Sequence, residues 1–128
     1  MQGKDLFEYA VVRLVPQVER EEFINIGVIL YCRRHMFLDS QFELDADRIN
    51  AFAGALDLEL LAEYIRAFQQ ICSGTEPNSL IATFDDAERF RWLTAKRSSI
   101  LQISAVHPGL CADASFTLNK LFEELVKR

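Results

Sequence analysis

The run LFEYAVVRLV at residues 6–15, followed by INIGVILYC at residues 24–32, decides the fold. The first is rich in aromatic and β-branched side chains and is apolar at odd and even positions alike, which suits a strand buried on both faces. Pro16 ends it, because proline has no N–H to give to a ladder. The second run reads as another strand, and Gly27 inside it marks a bulge or a close backbone approach. Arg33 and Arg34 separate it from HMFLDSQFEL at residues 35–44, so a hairpin connects the two.

From Asp45 the apolar period changes to that of a helix. Asp45 caps a short helix with Ile49, Phe52 and Ala53 on one side and Gly54 at its end. Residues 58–72 place Leu61, Tyr64, Ile65, Phe68 and Cys72 at helical spacing between Asp57 and Gly74, and SGTEPNS at residues 73–79 is turn chemistry. Asp85 opens a further helix with Ala87, Phe90 and Leu93 inward. SILQIS at residues 99–104 alternates as a short strand, His107-Pro108-Gly109 turns the chain, and Asp113 caps a last helix over residues 113–127. This order lacks βαβ alternation. It predicts a single α+β domain over residues 1–128, with a mainly antiparallel sheet of three to five strands and helices packed on one face.

At 128 residues, half of them hydrophobic, the chain can bury a core without disulfides or metal. Met1 to Asp5 does not read as a targeting segment and no apolar run is long enough to span a bilayer, so a cytoplasmic location and no membrane partner are expected. The three cysteines, Cys32, Cys72 and Cys111, are an odd set at wide spacings and read as reduced thiols. A net charge of -5 argues against nucleic acid as a partner.

Chemistry concentrates in KRSSILQISAVHPGLCAD, residues 96–113. Lys96, Arg97 and Ser98, with Arg91 upstream, supply cations and a hydroxyl for an anion. Cys111 with His107 four residues away is a nucleophile and base in outline, although no third group or glycine-rich elbow accompanies them. Cys32 and His35 at C-x-x-H spacing, with His107 and Cys111, are the four residues that would make a tetrahedral zinc site, but a domain of this size does not need one to fold, and no metal and no cofactor are assigned. Trp92 stands off the inward face of its helix, as an edge-of-core residue or an anchor for a protein partner.

Two segments resemble a bacterial family, domain of unknown function 3037. YAVVRLVPQVEREEFINIGVILYC, residues 9–32, resembles its first strands, with an N-[IV]-G-V motif. ERFRWLTAKRSSILQISAVHPGLCAD, residues 88–113, resembles its R-F-x-W…R-S…S-x-V-H-x-G-L-C run. The matching positions are Arg13, Asn25, Gly27, Arg91, Trp92, Arg97, Ser98, Ser104, His107, Gly109 and Cys111; His35 lies outside the motif. The resemblance implies an accessory or protein-interaction module acting with kinases similar to the bacterial persistence-toxin serine kinases. The alternative is an enzyme or binding domain for a phosphorylated or other anionic ligand, using Arg97 and Ser98 with His107 and Cys111. Whether the chain is an enzyme stays open between them.

Overall fold

A computed structural model describes residues 4–17, 20–54, 56–75, 80–95 and 100–127. Strands β1 (Asp5–Leu14), β2 (Ile24–Cys32) and β3 (Phe37–Phe42) come first, followed by helices α1 (Ala46–Ala53), α2 (Leu58–Ser73) and α3 (Asp86–Thr94). Strands β4 (Leu101–Ile103) and β5 (His107–Cys111) and helix α4 (Ala114–Leu125) complete the chain. All strand pairs are antiparallel, in the order β3-β2-β1-β4, with β5 also on β1. The fold is the expected α+β domain with a five-stranded antiparallel sheet.

Gly27 adjoins a bulge and lies under a close side-chain approach. Val12 faces Gly27 and Arg13 faces Asn25, so Ile26 is the extra residue of a bulge. A Cβ on Gly27 would stand 2.5 Å from the Phe42 ring on β3, which leaves room for glycine alone.

The sheet edge beyond β1 is built from two short strands laid end to end. Val12, Arg13 and Leu14 pair with β4, while Asp5 to Tyr9 pair with β5. Ser104 bridges the interruption: its Oγ accepts from the Val11 N–H at 2.9 Å and its own N–H donates to the Val11 carbonyl at 2.9 Å. His107-Pro108-Gly109 is therefore strand, not the expected turn. Proline is tolerated there because β5 pairs on one side only, with β1.

Helices cover both faces of the sheet, where one covered face was expected. Ala10, Ile29 and Tyr31 pack against Phe90 and Leu93 of α3 and Cys72 of α2, and Val12 and Leu14 against Ile49, Leu61 and Ile65 of α1 and α2. Phe7, Val28, Leu30, Cys32 and Cys111 pack instead against Ala114 and Leu118 of α4. The cause is the opening sequence itself: strands apolar at odd and even positions need cover on both sides.

The caps hold each helix to its start. Asp45, Asp57, Asp85 and Asp113 accept from the N–H groups of Arg48, Leu60, Glu88 and Phe116 at 3.2, 3.0, 2.8 and 3.1 Å. The far end of α4 is tied down by side chains from elsewhere. Asn25 Nδ2 donates to the Leu125 carbonyl at 3.0 Å and Arg48 Nη1 to that of Val126 at 2.9 Å, which satisfies carbonyls a helix end leaves open. Among the described residues no helix is long and apolar enough to cross a membrane.

Candidate functional site

Antiparallel pairing brings the start of β1 beside the ends of β2 and β5. Asp5 lies opposite Cys111 in the β1–β5 ladder, and Cys32 is the last residue of β2. The turn that follows is closed by the Met36 N–H on the Arg33 carbonyl at 3.0 Å, with Met36 in the left-handed region at φ 50°. That turn sets the His35 ring against β1, where Nε2 is 2.9 Å from Asp5 Oδ2. The two thiol sulfurs and a ring nitrogen of His35 all fall within 4.8 Å of one another. Residues more than seventy positions apart in sequence thus meet at one corner of the sheet.

The corner is apolar underneath and polar at its mouth. Cys32 and Cys111 are buried in the cluster that α4 covers, and His35 and Asp5 are partly open to solvent. The Cys32 thiol donates to the Leu6 carbonyl at 3.5 Å. Arg34 approaches Asp5 at 3.8 Å, but its exposure leaves that pair worth little. Burial pushes the Cys111 thiol up from its ordinary range, and the neighbouring Cys32 and the Asp5 carboxylate push the same way against a smaller opposing pull from the Thr117 hydroxyl. A thiol so placed is a poor nucleophile at neutral pH.

His107 does not join Cys111. Along the extended β5 the two stand about 13 Å apart, and the exposed His107 ring lies instead 5.3 Å from the ring of Tyr9, its partner on β1. His107 is therefore placed neither as the base of Cys111 nor as a fourth ligand beside Cys32, His35 and Cys111. The third cysteine, Cys72, is buried on the other face of the sheet, where burial pushes its thiol up to about 12.

The anion candidates Lys96, Arg97 and Ser98 lie outside the described residues. Arg91 lines an open groove of about 1070 Å³ between the N-terminal part of α3 and the β1–β2 end, together with Arg33 and Arg34. Asp5, Glu8, Asp85, Asp86 and Glu88 line the same groove, so five carboxylates face three guanidinium groups. That balance does not concentrate an anion.

Most of the other motif positions have structural work. Arg13 lies over the Phe23 ring at 4.2 Å. Asn25 holds the end of α4, Gly27 beside the bulge admits the Phe42 ring, and Ser104 joins the two edge strands. A Cβ on Gly109 would stand 2.5 Å from the Phe7 ring, so glycine lets β5 close on β1 beside the thiol corner. Trp92 is 38% exposed and lines an apolar groove of about 370 Å³ between α2, α3 and β4. The sequence reading missed Asp5, whose role depends wholly on pairing with β5 and on the reach of the β2–β3 turn.

The geometry defines an antiparallel α+β domain with a buried thiol–imidazole corner at one end and an apolar groove at the other. The chain belongs to the protein family of unknown function DUF3037, whose model matches residues 9–126. No curated protein and no solved structure matches it.

Proposed function

We propose that this domain is an accessory, protein-interaction module that docks a partner in the groove between α2, α3 and β4. The observation that carries the reading is the pairing of two half-exposed aromatics, Tyr64 and Trp92, at the rim of an apolar groove floored by Phe68, Ile71, Leu93 and Ile103. Aromatic anchors beside a pocket are the residues that dominate binding energy in protein interfaces. The partner class implied by the family resemblance is a serine kinase similar to the bacterial persistence toxins.

Co-expression of the tagged chain with such a kinase from the same genome tests this reading. Co-purification that is lost in Trp92→Ala supports it. Failure of the kinase to associate at low salt and micromolar concentration removes it, and association that survives Trp92→Ala together with Tyr64→Ala moves the docking surface elsewhere.

A further inference from the structure

We propose that Cys32, His35 and Cys111 form a zinc site, with Asp5 supporting the imidazole. The reading is independent of the docking groove, which is lined by other elements. Two thiolates and one imidazole are a donor set typical of zinc sites.

The donor atoms are close to the positions that an ion requires. Three atoms no more than 4.8 Å apart leave a point within about 2.8 Å of all of them, and zinc bonds of about 2.0–2.3 Å ask only for a small inward movement. The movement is available because His35 sits in a turn while the two thiols are fixed by strands. Charge also favours the ion. A zinc ion with two thiolates and a neutral imidazole carries no net charge, so it can occupy a corner lined by Phe7, Leu30 and Leu118 without leaving an unpaired charge buried.

Asp5 supplies the second feature of a built site. An imidazole whose Nε2 donates to a carboxylate carries its lone pair on Nδ1, and a carboxylate on the far nitrogen is the usual support of a metal-bound histidine. Three protein ligands leave the fourth tetrahedral position to water, as in zinc sites that exchange a ligand. The C-x-x-H spacing of Cys32 and His35 places two of the ligands on one hairpin, and β5 adds the third across β1.

The test is titration of the reduced, metal-free full chain with Co²⁺, followed by displacement with Zn²⁺. The expected result is one ion per chain, with thiolate-to-cobalt charge transfer and intense visible bands of tetrahedral coordination that Zn²⁺ abolishes. His35→Ala and Cys111→Ala should lose these bands, Asp5→Asn should weaken binding by roughly tenfold to a hundredfold, and His107→Ala should leave it unchanged. His35 is in a turn and partly exposed, so its variant keeps the fold even where a cysteine variant does not, and circular dichroism checks both. Absence of the charge-transfer band in the wild type, or a band that persists in His35→Ala, overturns the proposal.

Discussion

The thiol corner and the apolar groove lie at opposite ends of β1 and on opposite faces of the sheet. Asp5, Cys32, His35 and Cys111 meet on the side that α4 covers, whereas Tyr64, Phe68 and Trp92 gather between α2 and α3 on the other. The corner is assembled from three separate stretches of chain, β1, the β2–β3 hairpin and β5, so strand register fixes its two thiols while His35 reaches in from a turn. The groove is assembled by α2, α3 and β4, with Tyr64 and Trp92 partly exposed at its rim. A metal at the first would depend on exact position, whereas a partner at the second would depend only on shape and apolar area.

The sharpest way to break the comparison is a crossed pair of variants. His35→Ala should reduce cobalt affinity by more than about a hundredfold, beyond the loss typical of a supporting group, and leave kinase capture intact. Trp92→Ala should do the reverse, weakening capture by roughly thirtyfold, the scale of a 2 kcal/mol interface anchor, with cobalt binding unchanged. Effects at sites this far apart with no shared partner should add independently. Metal binding lost in Trp92→Ala would mean that the two ends are coupled through the sheet.

Next in size are two substitutions at the β1 edge, Gly109 beside the corner and Ser104 at the junction of β4 and β5. Gly109→Ala drives a methyl group into the Phe7 ring, an overpacking expected to cost about 1–3 kcal/mol. Ser104→Ala leaves the buried Val11 N–H without its acceptor, at a similar cost of about 1–3 kcal/mol. Urea unfolding with an unchanged m-value reads both. Gly109→Ala should also loosen cobalt binding, because Gly109 sets how closely β5 brings Cys111 to Cys32; cobalt affinity equal to wild type would detach the corner from that contact.

Much of the fold was legible because it rests on local signals. The two apolar runs, the four aspartate caps and the stripes of α2 and α4 each announce themselves within a few residues. What escaped was non-local. Pro108 and Gly109 read as a turn, and only an edge position makes them acceptable in a strand. The expectation of one covered face overlooked what the two-sided apolar pattern of the first strand already required. Cys32, His35 and Cys111 were visible as donors, but their meeting depends on which edge of β1 receives the returning chain, and Asp5 gives no sequence signal at all. His107 was paired with Cys111 because four residues are close in a turn; in a strand they are far apart.

Cys72 provides the smallest and most specific test, because it is a lone buried thiol on the groove side with no imidazole beside it. Burial, the largest cause, raises it from the ordinary value of 9.0 to about 12, and Ser40 nearby opposes this only in part. A group whose folded value lies above its unfolded value stabilises the fold fully below the unfolded value, and that contribution is lost as pH climbs between the two. Stability should therefore fall by about 1 kcal/mol from pH 9 to pH 10 through this thiol alone, since each pH unit in that window is worth at most 1.4 kcal/mol. Cys72→Ala should be less stable at every pH because of the cavity, but the fall across pH 9–10 should be shallower. A variant with the wild-type slope would assign the alkaline loss to another group, and Tyr31 on the same face, raised chiefly by burial, is the next to examine.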